Sequence, residues 1–296
     1  MYEFIKNNVE TSDKIFLDAP NRIPLSFNEL HQKLEKVRNY FDNLSINRSD
    51  PVAIVLPNGP DLGFLFIACS CFAISAPLNP NYSKNEFKFY LSDLKAKFLI
   101  VDPDLKTEAS KAAFELGITV INLSFEQNIG SLKLTKNNES SPITTINNYE
   151  KDTSLLLHTS GTTSKPKLVQ LSSNNLIKSS RNIGKTLYLN EEDSCLNIMP
   201  LFHIHGLVAV LLTSLVYNIK LVCTSGFNAL NFYKFLQDFK PSWYSGVPTM
   251  HQAILQRSKN NQDIIKNNPL RFIRSSSAPM PKPVLLEIEK TFNCPV

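Results

Sequence analysis

The chain has 296 residues, enough for one large domain or two of ordinary size. Hydrophobic residues make up 43% and charged residues 19%, a balance that supports a substantial core and excludes an intrinsically disordered chain. The net charge of +5 comes without a dense run of Lys and Arg, so nucleic acid is not the expected partner.

The first half of the chain alternates between helical and extended patterns. Two S-x-x-E capping boxes, Ser26 with Glu29 and Ser83 with Glu86, precede apolar residues at helical spacing. Short apolar runs bounded by turn residues predict buried strands. In chain order we predict a helix over 27–41, a strand at 52–56, a helix from 84 through 94, a strand at 98–101, a helix at 106–116, a strand at 118–123, and a loop or weak edge structure at 126–151.

The same alternation continues in the second half. We predict strands at 155–157, 195–199, 219–223, from 243, and at 271–275, and helices at 173–187, 206–216, 231–239, 248–256 and 283–292. Repeated β-α-β order predicts an α/β fold in which helices cover mostly parallel sheets. Trp243 and Tyr244 are neighbours on a strand and point to opposite faces, which favours core packing over stacking on a nucleic-acid base.

The N-terminus, the cysteines and the apolar runs indicate where in the cell the protein is expected. Residues 1–10 lack the basic segment and long apolar run of a secretory signal. The five cysteines form neither a C-x-x-C pair nor a zinc-type group, so we expect buried, reduced thiols in a cytoplasmic protein. Two apolar runs, 62–78 and 201–217, are shorter than the roughly 20 residues that span a membrane, which predicts buried core helices.

The densest chemical signal is a run of hydroxyl side chains after Leu157. Five Ser and Thr residues surround Gly161, and Lys165 and Lys167 follow. Backbone N–H groups, hydroxyls and a lysine can bind the oxygens of a polyphosphate, and glycine lets the backbone turn closely around an anion. The string is not a Walker A loop, which needs a second glycine followed by Lys and Ser or Thr. A turn rich in Ser and Thr can also form without a ligand.

The string T-S-G-T-T-S-K-P-K, at 159–167, resembles the phosphate-binding signature of the adenylate-forming (AMP-dependent) synthetases and ligases. Two more blocks resemble this family in the same order, P-L-F-H-I-H-G-L at 200–207 and R-F-I-R-S-S-S-A-P at 271–279. Ser164 stands where the family usually has glycine. Together with W-Y-S-G-V-P-T-M-H-Q at 243–252, the blocks are most similar to the oxalate-activating members of the 4-coumarate–CoA ligase-like branch.

The resemblance implies where nucleotide and acid bind. The implied nucleotide ligands are Thr159, Ser160, Gly161, Thr162, Thr163, Ser164, Lys165, Lys167, Ser277, Ala278 and Pro279, of which Thr162 and Thr163 are also implied to reach Mg²⁺. A pocket for a small dianion needs cationic or donor groups rather than apolar ones. The candidates are His203, His205, His251, Arg274 and Ser276, although each could be a core histidine, a structural arginine or a turn residue. His158 is expected to pack structurally.

The family reaction has two steps. A carboxylate attacks the α-phosphate of ATP to give an acyl-adenylate and pyrophosphate, and the thiol of coenzyme A then displaces AMP. The resemblance therefore implies ATP, Mg²⁺, coenzyme A and a small carboxylic acid, with oxalate favoured. It also implies that residues 1–296 are an incomplete N-terminal adenylation domain of stacked sheets, and that a catalytic lysine lies in a C-terminal domain beyond the chain. The chain alone is expected to be inactive.

Three other functions stay open. The first is a ligase for a 4-coumarate-like or other small or medium-chain acid. The second is a non-catalytic protein that binds a nucleotide or an acyl group, and the third is a membrane-associated protein that uses the run at 62–78. A peroxisomal location is possible if the full-length protein carries a C-terminal address.

Overall fold

The computed structural model describes residues 1–137, 149–159 and 166–296. The strands within these ranges are β1 Ile15–Asp18, β2 Leu25–Ser26, β3 Pro51–Val55, β4 Ile74–Pro77, β5 Phe98–Val101, β6 Thr119–Phe125, β7 Leu132–Lys136, β8 Thr153–Thr159, β9 Lys167–Ser172, β10 Ser194–Asn197, β11 Lys220–Cys223, β12 Trp243–Gly246 and β13 Phe272–Ser275. The helices are α1 Tyr2–Asn8, α2 Phe27–Asn43, α3 Pro60–Phe72, α4 Lys84–Asp93, α5 Ala109–Glu115, α6 Ser173–Thr186, a π-helix His205–Leu212, α7 Thr213–Val216, α8 Phe232–Phe239, α9 Pro248–Ser258, a short 3₁₀ turn Lys259–Asn261, α10 Gln262–Asn267 and α11 Lys282–Phe292.

These strands form two sheets. The first has the order β7-β6-β5-β3-β4-β8-β9 and the second the order β13-β12-β10-β11-β1-β2. Pairing is parallel in the middle of both sheets, and antiparallel between β6 and β7, β8 and β9, and β1 and β2 at the edges. The predicted α/β class, with stacked and mostly parallel sheets, is confirmed.

Helices separate and cover the two sheets. Between them lies the largest core, in which Phe16 of β1, Ile54 of β3 and the side chains of α3 pack together. Every residue of α3 from Pro60 to Cys71 is buried, as a helix enclosed on all sides requires. Helices α4 and α5 cover the outer face of the first sheet, and α8, α9, α10 and α11 cover that of the second. The order of layers is α/β/α/β/α.

Local sequence patterns, such as capping boxes and strand alternation, predicted most helices and strands at the correct positions. Both predicted capping boxes form: Ser26 Oγ accepts from the backbone N–H of Glu29 at 3.1 Å, and the Glu29 carboxylate accepts from the Ser26 N–H at 3.0 Å. Ser83 caps α4 in the same way. Trp243 and Tyr244 pack in cores on opposite faces of the second sheet, as their alternation predicts. All five cysteines are buried and free.

One of the two apolar runs differs from the prediction. The run at 62–78 is not one helix, because Ala73 adopts an extended conformation at the end of α3 and the chain continues as the buried strand β4. In the run at 201–217 the predicted buried helix over 206–216 forms, as the π-helix His205–Leu212 followed by α7. Within the described ranges no helix has the length and apolar character needed to cross a membrane. The strands β1, β2 and β9 and the helices α1 and α10 were not predicted from the sequence.

Candidate active site

The string T-S-G-T-T-S-K-P-K begins at the end of one strand and finishes on the next, which pairs with it antiparallel. Thr159, the last residue of β8, pairs with Lys167, the first of β9, and both side chains are exposed. The Thr159 hydroxyl lies 3.5 Å from the Lys167 carbonyl oxygen, so the two strand ends lie together. The predicted loop ligands lie outside the described residues: Ser160, Gly161, Thr162, Thr163, Ser164 and Lys165.

His158, the residue before Thr159 on β8, packs against helix α4. Its Nε2 lies 2.8 Å from the Asp93 carboxylate at the end of α4. Its ring packs edge-on against Tyr90, with 4.7 Å between the ring centroids. These contacts agree with a structural role and leave the imidazole facing away from solvent, with 6% of the side chain exposed.

A second polar cluster forms where three parallel strands of the second sheet end. The register of β10, β12 and β13 places Asn197, Ser245 and Arg274 side by side. In-register residues of parallel strands share one face of a sheet, and this face points toward the π-helix, whose first residue is His205. Ligands of open α/β sheets bind at the carboxyl ends of strands, so this is the expected place for a site.

His205 joins the strands to the turn that follows them. Its Nε2 lies 2.9 Å from Arg274 Nη1 and 2.7 Å from Ser245 Oγ, and its Nδ1 lies 3.0 Å from Ser277 Oγ. A guanidinium only donates hydrogen bonds, so Nε2 must accept and the imidazole proton must be on Nδ1. The ring therefore donates to Ser277 and is neutral. Burial, together with smaller effects of the charges of Arg274 and His251, lowers the pKa of His205 to about 4.

Arg274 carries the only formal charge in this cluster. Its guanidinium donates to His205 and, at 3.1 Å, to Ser245 Oγ, with Ser276 Oγ at 3.5 Å. Although Arg274 is half-buried, it forms no ion pair with any carboxylate of the described ranges. Burial lowers the pKa of Arg274. Among the residues that the structure describes, the cluster is therefore a positive site without a counter-charge.

Arg271, three residues earlier, differs from Arg274 because it forms an ion pair within the fold. Its Nε and Nη2 donate to the two oxygens of the buried Asp193 carboxylate at 2.9 and 2.6 Å. Ser242 donates to the same carboxylate at 2.7 Å. The charge of Arg271 is thus neutralised within the fold, whereas no carboxylate of the described ranges neutralises that of Arg274.

Arg274 opens into a cavity of about 150 Å³. Its lining includes both polar and apolar residues, which are Ser179, Ile183, Ile204, His205, Val208, Ala209, Arg274, Ser276 and Ser277. Larger cavities of about 360 and 420 Å³ lie beside α2 and beside the first residues of the chain, away from these strand ends. The small cavity suits a short carboxylic acid whose charge faces Arg274.

The other predicted site residues are distributed around this cavity. Ser277 belongs to the cavity as well as to the turn expected to meet the nucleotide, and its φ of 71° places it in the left-handed region. Ala278 and Pro279 are exposed and follow it. His203 is exposed and outside the lining, beside the ring of Phe202.

His251 is fully buried behind strand β12. Its Nδ1 lies 2.9 Å from the Tyr244 hydroxyl, and its ring packs against Gly246. It does not line the cavity. Sequence reasoning did not select Ser245, although its place two residues after Trp243 on a short strand was a signal that it faces the same side as Trp243.

No group of three or more metal-ligating side chains occurs among the residues that the structure describes. The residues predicted to reach Mg²⁺, Thr162 and Thr163, lie outside them.

Comparisons with known proteins show the family and the fold of the chain. A family model described as AMP-binding enzyme matches residues 4–296. The chain is 37% identical over 281 residues to a probable CoA ligase, CCL9, of Humulus lupulus, covering 91% of this chain and 53% of the relative. It is 35% identical over 291 residues to the oxalate–CoA ligase of Arabidopsis thaliana, covering 96% and 56%. The chain thus spans about half the length of the curated relatives it matches.

Among solved structures, the chain resembles ATP-bound MatB from Rhodopseudomonas palustris. The TM-score is 0.82 at 21% identity, and the match covers all of this chain and 58% of the other. At this identity the likeness concerns the fold.

Proposed function

Because the chain belongs to the AMP-binding enzyme family, we propose that the protein is an AMP-forming acid–CoA ligase for a small dicarboxylate, with oxalate as the leading candidate. In the first step a substrate carboxylate attacks the α-phosphate of ATP, so that an acyl-adenylate forms and pyrophosphate leaves. In the second step the thiol of coenzyme A attacks the acyl carbon, giving the thioester and AMP. The relative from Arabidopsis thaliana carries the name oxalate–CoA ligase.

The observation that carries the proposal is the guanidinium of Arg274, which has no ion-pair partner within the described ranges. A dicarboxylate can place one carboxylate on Arg274 while the other attacks the nucleotide. A planar guanidinium can donate two parallel hydrogen bonds to a carboxylate. In a half-buried site we expect these charge-assisted hydrogen bonds to replace those to water favourably. The neutral His205 adds no second charge, so the cavity matches one carboxylate rather than two. Its volume of about 150 Å³ favours a short acid.

The proposed nucleotide site is located at the ends of the paired strands β8 and β9. We place the β- and γ-phosphates of MgATP against the segment from Thr159 to Lys167, and the nucleotide also against the turn at Ser277, Ala278 and Pro279. Phosphoryl chemistry of this kind depends on positioning and on stabilising charge, and it needs no nucleophilic side chain. A lysine from a further domain, and a cytoplasmic or peroxisomal location, stay predictions from the sequence.

Pyrophosphate exchange with a panel of acids tests the proposal in the full-length protein. We expect oxalate to support exchange better than acetate, butyrate or 4-coumarate. Arg274→Met should lower kcat/KM for oxalate by about 100-fold, because one charged partner of a desolvated pair is lost. Arg38→Met, an exposed arginine of α2, is the control and should leave the rate unchanged. Strong exchange with 4-coumarate and none with oxalate would contradict the proposal.

A second candidate is a ligase for a short monocarboxylic acid. The apolar lining of the cavity favours it, since Ile183, Ile204, Val208 and Ala209 can pack against an alkyl chain. The same panel separates the two. For a monocarboxylate ligase, butyrate would exceed oxalate and Arg274→Met would have little effect on exchange.

A further inference from the structure

We propose that Ser245 is a positioning residue, whose buried hydroxyl aims the Arg274 guanidinium into the acid cavity and holds His205 as its neutral Nδ1–H tautomer. The inference rests on the proposed function, in which Arg274 binds a substrate carboxylate. Ser245 would act through these two side chains, because it does not itself line the cavity.

The sheet register brings Ser245 to this place. Ser245 pairs with Arg274 on one neighbouring strand and with Asn197 on the other. Its exposed fraction is 0%, so no water competes for the hydroxyl. A buried hydroxyl without a partner is costly, which makes its hydrogen bonds an informative feature of the site.

The hydroxyl has one donor and two acceptor positions, and the distances decide how they are used. Arg274 Nη1, at 3.1 Å, can only donate, so the Ser245 oxygen accepts from it. The O–H then donates to His205 Nε2 at 2.7 Å, since the other acceptor in reach, the Arg274 carbonyl oxygen, is 3.5 Å away. Two donors thus face Nε2, which keeps the imidazole proton on Nδ1 and directs it to Ser277.

Without this hydroxyl, Arg274 would lose one of its two short hydrogen bonds. The bond to His205 at 2.9 Å would remain, and the contact with Ser276 at 3.5 Å is at the limit of a hydrogen bond. A guanidinium held at one point can rotate away from the cavity. The loss of one hydrogen bond to a charged group predicts about a ten-fold weaker interaction with a carboxylate.

Kinetics of the full-length protein test the role. We expect Ser245→Ala to raise KM for oxalate by about ten-fold, with KM for ATP unchanged, and Ser245→Thr to restore part of the loss by returning a hydroxyl. Butyrate, which has no second carboxylate for Arg274, should show no such increase. Ser194→Ala is the matched control, because Ser194 lies on the adjacent strand β10 and its Oγ has no hydrogen-bond partner within the described ranges.

Nitrogen NMR of the His205 ring tests the geometry without relying on activity. We expect the Nδ1–H tautomer in the wild-type protein and a shifted Nε2 resonance in Ser245→Ala. A wild-type ring protonated on Nε2 would overturn the inference, as would an unchanged KM for oxalate in Ser245→Ala while Arg274→Met raises it. If Arg274→Met also leaves KM unchanged, the proposed substrate site itself fails. A KM increase of equal size for oxalate and butyrate would indicate a merely structural role and would also overturn the inference.

Discussion

Two buried histidines should make the fold sensitive to mild acid. His205 is 5% exposed and His251 is 0% exposed, and burial is the main cause that lowers the pKa of each to about 4. In the unfolded chain a histidine titrates near 6.5. Between these values the unfolded chain binds more protons than the folded one, so the free energy of unfolding decreases as the pH falls.

The size of the effect follows from the two pKa values. At pH 7 both states are largely neutral, and the contribution is small. At pH 5 the unfolded imidazole is protonated and the folded one is not, which costs about 2 kcal/mol of stability for each histidine. Below pH 4 the cost reaches about 3 kcal/mol each, a large part of the stability of a typical domain.

Urea denaturation at pH 7 and pH 5 measures this difference. His205→Gln removes the titrating group and keeps an acceptor for Arg274 and a donor for Ser277. We expect the stability lost between pH 7 and pH 5 to be about 2 kcal/mol smaller in this variant than in the wild type. His251→Gln should behave similarly, because glutamine can accept from Tyr244.

Comparing losses within each variant removes any constant effect of the substitution on stability. Carboxylates that titrate in the same range are common to all variants and also cancel. If wild type, His205→Gln and His251→Gln lose the same stability between the two pH values, within the error of extrapolation, the buried-neutral assignment is refuted.

Three further substitutions test the fold. Asp193→Ala leaves the charge of Arg271 without its buried partner and should cost about 3–5 kcal/mol in urea denaturation, whereas a cost below about 1 kcal/mol would contradict the pairing. Ser26→Ala removes the capping hydroxyl of α2 and should cost about 1 kcal/mol, with Ser26→Thr as the control that retains a hydroxyl. Gly184→Ala would place its Cβ 2.1 Å from the Tyr217 ring and should cost about 1–3 kcal/mol by thermal unfolding; an unchanged melting temperature would contradict that clash.

Elements with local signals were predicted well from sequence. The capping boxes at Ser26 and Ser83 depend on hydrogen bonds between residues three apart, so the sequence contains all of their partners. The buried strands β3 and β5 were recognisable because parallel strands are apolar on both faces. Strand β9 was not, because its side chains are exposed or half-buried and it is ordered by pairing with β8.

The apolar run at 62–78 shows a second limit of prediction from sequence, which concerns the choice between helix and strand. Its composition predicts burial, which is correct, but burial is compatible with either a helix or a strand. The division between α3 and β4 follows from where the chain meets its neighbours: β4 pairs with β3 on one side and β8 on the other. Those partners are 20 to 80 residues away in sequence, so no local pattern contains them.

The sequence by itself determined the family, the α/β class, and the chemistry of the candidate site residues, including His205 and Arg274. These follow from ordered motifs and residue types, which are local properties. Only the tertiary structure decided that Arg274 has no carboxylate partner among the described residues while Arg271 has Asp193, and that Ser245 lies between Arg274 and His205. Strand register and helix packing determine these partners, because they bring together side chains that are 29 to 78 residues apart in sequence.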